Sequence, residues 1–228
     1  MSKMKALMLG LLAALLMTLA ACDTATAPDS APIETEAPQG FWDCPIYLPA
    51  NANRTENETN ITYSSDNMGR PIQAIATNIS KRPAKRLEGC SPQVGNLFEG
   101  RGAYPDLQGG HLIGAQLGGW GGRANLAPQS KRFNLSNYSI IENAAALCKP
   151  SNGISMTVGL TYPDGDGAFP HDEIVPETWY VRFTKGGGGV EEATFQNTNN
   201  GGPNASQKVD EITKFLRKNG CTGKRPRN

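Results

Sequence analysis

Hydrophobic and polar positions alternate in several distinct periods along this chain. Ala6–Ala21 is apolar apart from Thr18 and carries no charge, but at sixteen residues it is short of the roughly 20 that a membrane-spanning helix needs. Beyond Phe41 the periods are those of folded elements. Ile61–Tyr63 and Ile72–Ile79 alternate apolar and polar side chains, as half-buried strands do. Asp66-Asn67-Met68-Gly69 between them supplies turn residues, so the two runs predict a β-hairpin. Ile154–Tyr162 and Thr178–Thr184 alternate in the same way.

From Asn134 or Leu135 to about Cys148 the period lengthens. Tyr138, Ile141, Ala145 and Cys148 recur on one face of a helix, which Lys149-Pro150-Ser151-Asn152-Gly153 then stops. Ser206–Lys218 repeats the helical pattern with Val209, Ile212, Phe215 and Leu216. Between hairpin and helix, Leu97–Asp106 reads as irregular, His111–Ala115 as a short strand, and Leu117–Arg123, with four glycines, as a loop; Lys185–Val190 is a glycine-rich turn. The order β, β, loop, α, β, β, α predicts an α+β domain with an antiparallel sheet and a C-terminal helix.

Composition adds a compartment. Met1–Lys5 is basic, the apolar run follows, and Leu19-Ala20-Ala21-Cys22 resembles a bacterial lipobox, which implies cleavage before Cys22 and lipid on its thiol. An ordinary signal peptide with a chance cysteine is the competing reading. Asp23–Gly40 is rich in Ala, Pro, Thr and acids, without apolar periodicity, and reads as a disordered tether. The expected organisation is a signal peptide over 1–21, a lipidated tether over 22–40 and a folded domain over 41–228. That domain carries 20 basic and 17 acidic residues, a bias too mild to select a polyanionic partner by itself. Cys44, Cys90, Cys148 and Cys221 are an even set in an exported domain, so two disulfides are expected, with three connectivities open. A Cys44–Cys221 bridge would tie the two ends of the domain together. No pair of them has the short spacing of a structural zinc site.

The candidate chemistry sits between Pro105 and Asn143. His111 follows Gly109 and Gly110, and Asn125, Gln129, Asn134 and Glu142 lie downstream. Phosphodiester hydrolysis needs a base for water, a cation for the developing charge and stabilisation of the leaving oxygen. A neutral imidazole suits the first task and a lone amide oxygen can hold magnesium, which keeps most of its own waters. The glycines let backbone and phosphate approach His111 closely.

The segments GGHLIGAQLGG, NLAPQ and RFNLSNYSIIEN, together with the SDNMGRP turn, resemble the DNA/RNA non-specific endonucleases with a ββα-metal (His-Me finger) site. The resemblance runs from about Tyr63 to Thr184. It implies His111 as general base, Asn134 as direct ligand of magnesium or manganese, and Asn125 and Glu142 as groups that orient the histidine loop and the metal's waters. It implies a nucleic acid substrate, DNA, with RNA as the open alternative. Several branches of that family carry an acid and an arginine before the Gly-His pair, where this chain has Leu107-Gln108-Gly109-Gly110, so no arginine is assigned. Arg101 and Arg123 flank the site as candidates for leaving-group or phosphate contact, with Gln129 as a further substrate contact. Lys81, Arg82, Lys85 and Arg86 could meet phosphates or simply face solvent. His171, in the acidic turn-rich stretch Pro163–Glu173, reads as a plain loop residue. The alternative function is a lipoprotein that keeps a nuclease fold and binds without cutting.

Overall fold

The computed structural model describes residues 44–82, 90–96, 106–163 and 174–223. Every described residue lies within one compact unit, 37–228. The leader with Cys22, and also Arg101, Lys85, Arg86 and His171, lie outside the described residues.

The hairpin forms as expected from β2 (Ile61–Ser65) and β3 (Pro71–Ala76). Asp66 organises its turn. Oδ1 accepts from the Met68 and Arg70 backbone N–H at 3.0 and 2.8 Å, and Oδ2 takes the Arg70 Nε at 2.6 Å. Gly69 supplies the left-handed residue at φ +75°. β6 (Ile154–Thr161) pairs with β3, β7 (Thr178–Lys185) with β6, and β8 (Val190–Gln196) with β7. With β1 (Asn53–Glu56) beside β2, these strands make a six-stranded antiparallel sheet in the order β1-β2-β3-β6-β7-β8. The α+β class with a mainly antiparallel sheet therefore stands. β1 and β8 were not expected. Both are edge strands, and of β8 only Phe195 is fully buried, so neither shows an alternating apolar pattern.

One face of the sheet, with Tyr63, Ala74, Met156, Val158, Trp179, Val181 and Phe183, packs on helices. These are α4 (Ala205–Lys218), through Val209, Ile212 and Leu216, and a helical run from Lys131 to Ala145. That run starts one turn earlier than the pattern suggested. It consists of α2 (Lys131–Phe133), a π-helical turn (Asn134–Tyr138) and α3 (Ser139–Ala145). Phe133 and Tyr138 anchor it, against Phe195 (ring centroids 5.4 Å) and against Trp179 (5.4 Å, edge-on).

The cysteines form Cys44–Cys90 and Cys148–Cys221, so the end-to-end Cys44–Cys221 bridge is not the one made. Cys148, just after α3, is instead tied to Cys221, three residues beyond the end of α4. Cys90 opens α1 (Cys90–Asn96), a helix the sequence pattern did not predict. Pro92 and Gly95 are poor helix formers, and tertiary contacts hold the segment instead.

Candidate active site

His111 is the last residue of β4 (Leu107–His111), not the first residue of a strand running on to Ala115. Gln108, Gly109 and Gly110 have no apolar alternation to reveal a strand. What makes them one is pairing with β5 (Leu126–Ser130), also unforeseen, in the register Leu107↔Ser130 to His111↔Leu126. After His111 the chain leaves the ribbon because its next groups bond elsewhere. The Leu112 N–H donates to the Asn125 carbonyl (2.8 Å) and the Ile113 N–H to the Asn125 side-chain oxygen (2.9 Å).

Asn125 is completely buried, and its amide nitrogen donates to the carbonyls of Ile113 (2.9 Å) and Trp120 (2.7 Å). One side chain thus closes the whole glycine loop into a ring behind His111. Gly119 is required there, since a Cβ would meet the Ile113 carbonyl oxygen at 1.7 Å and the Asn125 amide at 2.8 Å. The far end of the loop is fastened to the sheet. The Trp120 N–H donates to the Tyr63 hydroxyl (2.9 Å), and the Arg54 guanidinium lies 4.1 Å from the centroid of the Trp120 ring.

On its other side the ribbon touches α1 almost backbone to backbone. The Ser91 hydroxyl donates to the Gly109 carbonyl (2.7 Å). A Cβ on Gly109 would lie 2.3 Å from the Ser91 carbonyl oxygen, and one on Gly95 would lie 2.7 Å from the Gln108 Cα. Glycine on both partners is the signal that could have revealed this contact in the sequence.

The helical run returns along the ribbon. Tyr138, buried, donates its hydroxyl to the Leu112 carbonyl. Burial, and then the charge of Glu142, push its phenol well above the usual tyrosine range, so it remains a donor. One turn on, the Glu142 carboxylate fills the space that a side chain on Gly114 would need, with a Cβ there only 2.5 Å from Oε1. Three asparagines lie on the run. Asn137 donates to the Asn200 carbonyl (2.9 Å), and Asn143 accepts from Gln116 (3.2 Å). Asn134 is half-buried, one turn before Tyr138, and its amide has no hydrogen-bond partner among the described residues. It is not a helix cap, since its own dihedrals are helical at φ −59°, ψ −45°. Among the described residues no three of His, Cys, Asp and Glu gather as a metal cluster.

Two expected substrate contacts do not reach solvent. Gln129 is completely buried and wedged against Gly110, whose Cβ would be 2.0 Å from its Oε1. Its pleat position turns it inward, where it occupies the volume the glycine lacks. Arg123 is completely buried too. Its Nε donates to the Ile46 carbonyl (3.2 Å) and its Nη1 to the Leu126 carbonyl, and it has no ion-pair partner among the described residues. Burial lowers its pKa, against the opposing influence of Tyr162 and Tyr47. Arg123 braces β5 opposite His111 and presents nothing to a phosphate.

Residues 50–181 match the family model described as DNA/RNA non-specific endonuclease. The match spans the hairpin, the histidine ribbon, the helical run and the first half of β7, more than half of the 228 residues, and leaves β8, α4 and Cys221 beyond it. The chain belongs to the DNA/RNA non-specific endonuclease family.

Proposed function

We propose that this protein is an active, metal-dependent endonuclease that hydrolyses phosphodiester bonds with little regard to sequence. DNA is the expected substrate and RNA the broader possibility. His111, at the end of a braced ribbon, takes the proton from the attacking water. Asn125 acts through the loop it closes and does not touch the reacting atoms. The Asn134 amide oxygen would hold magnesium or manganese, with Glu142 on the same helical run beside it. A bound divalent ion would offset the charge that develops on the phosphate. The observation that carries this reading is the Asn134 amide, which has no hydrogen-bond partner among the described residues, on a run whose other asparagines have theirs.

The lipobox-like Cys22 supports an enzyme outside the cytoplasm on a lipid anchor, with nucleic acid and a membrane as its partners. The deciding experiment is digestion of plasmid and of RNA by the 41–228 chain, with magnesium and with chelator, beside His111→Ala and Asn134→Ala. Magnesium should restore cleavage that chelator abolishes, and each variant should lose about two to four orders of magnitude in turnover, the usual worth of general-base catalysis. Undiminished cleavage in chelator, or near-parental rates in either variant, would remove the mechanism. One observation favours the second reading, a nuclease fold that binds without cutting. Burial of Arg123 takes away one of the two arginines available for the leaving group and leaves Arg101.

A further inference from the structure

Asn134 and Glu142 are eight residues apart. In a regular α-helix eight residues advance about 800°, which leaves the two side chains about 80° apart, too far round to face one small ion. The run is not regular. Asn134–Tyr138 is a π turn, closed by i→i+5 bonds, and such a turn holds one residue more than an α-turn. The extra residue takes up about 100° of the advance, so the offset falls to about 20°. The same arrangement lets Phe133 and Tyr138, five apart, both enter the core, with ring centroids 5.7 Å apart.

A change of ladder from i−4 to i−5 partners leaves carbonyls short of backbone donors. Two serines donate their hydroxyls to carbonyls of this stretch. Ser136 donates its hydroxyl to the Arg132 carbonyl (2.6 Å). Ser139 donates its hydroxyl to the carbonyl of Leu135 (3.0 Å) and to that of Ser136 (2.8 Å), which also accepts the Ser139 backbone N–H. Side-chain bonds of this kind bend and reshape helices.

We infer that Ser136 and Ser139 are positioning residues, which hold a π turn whose extra residue brings Asn134 and Glu142 onto one side of the helical run, Asn134 to hold a divalent cation and Glu142 to hold the waters around it. This rests on the metal reading proposed above. The inference predicts an asymmetry that a merely structural helix would not show. Deleting Leu135, which is 64 % exposed, removes the extra residue. Seven residues of plain α-helix advance about 700°, within about 20° of two full turns, so the pair stays aligned. Inserting an alanine between Leu135 and Ser136 instead throws the pair about 80° out of line.

The experiment is Mn²⁺ titration of the 41–228 chain, read by the spin-resonance signal of the free ion, with plasmid cleavage and melting recorded beside it. The Leu135 deletion should keep Mn²⁺ affinity within about threefold, while the insertion should lose at least tenfold. Ser136→Ala with Ser139→Ala should weaken Mn²⁺ binding and kcat together, leave KM for DNA and the melting temperature close to parental, and be rescued by threonine at both positions. Equal effects of deletion and insertion, or a silent double alanine variant, would overturn the inference while the metal reading survives. Parental Mn²⁺ binding that is indifferent to Asn134→Ala would bring down the metal reading, and this inference with it.

Discussion

Replacing Asn125 by alanine should separate the scaffold of this site from its chemistry. The side chain is fully buried and makes three hydrogen bonds, two as donor and one as acceptor. Alanine leaves the Ile113 N–H and the carbonyls of Ile113 and Trp120 buried without those partners. Each unsatisfied group costs about 1–3 kcal/mol, and some relaxation is expected, so the loss should be about 3–6 kcal/mol. For a domain of this size that corresponds to a fall in melting temperature of about 6–24 °C. Asn125→Asp keeps the acceptor for Ile113 but turns the donor toward two carbonyls into a carboxylate oxygen. Burial and those carbonyls would raise its folded pKa above the unfolded value of about 3.9. With a raised carboxylate pKa, the folded state binds the extra proton. The deficit relative to the parent is therefore smallest below about pH 4, grows as pH rises through the folded pKa, and is constant above it. The assay is thermal unfolding of both variants at several pH values, with plasmid cleavage measured well below each melting point. A melting temperature of Asn125→Ala within about 2 °C of the parent would show that the glycine loop does not hang on this amide, and the account of how His111 is held would fail with it.

The two disulfides close separate loops, with sequence separations of 46 and 73, so their effects should add. Chain entropy gives about 4 kcal/mol for each; Cys44→Ser with Cys90→Ser should also cost activity through α1, which equal activity loss from Cys148→Ser with Cys221→Ser would contradict. Gly109→Ala should force α1 off β4 and destabilise by about 1–3 kcal/mol, measured by denaturant unfolding; an unchanged midpoint would mean the two backbones are not in contact. Cys22→Ala should release an active nuclease from the membrane fraction, and recovery of the variant there in parental amount would refute the lipid anchor.

Periodicity alone was enough for the hairpin around Asp66-Asn67-Met68-Gly69, for β6 and β7, and for the buried face of α4, because each buries one face and shows it in its spacing. The spaced set His111, Asn125, Asn134 and Glu142 was picked out differently, as a motif of particular residue types and not by a period. Elements with no apolar period were not legible. β4 reads Leu-Gln-Gly-Gly-His and is a strand only because β5 pairs with it, and α1 contains Pro92 and Gly95 and is a helix only where Cys44 and the ribbon hold it. Tertiary structure also decided which polar groups are available to a substrate. Gln129 and Arg123 look in sequence like any other polar residues near a site, but packing turns both inward, Gln129 into the gap beside Gly110 and Arg123 onto the carbonyls of Ile46 and Leu126. Spacing could count the eight residues from Asn134 to Glu142. The π turn at Asn134–Tyr138, with Phe133 and Tyr138 both packed into the core, brings those eight residues to about two full circles.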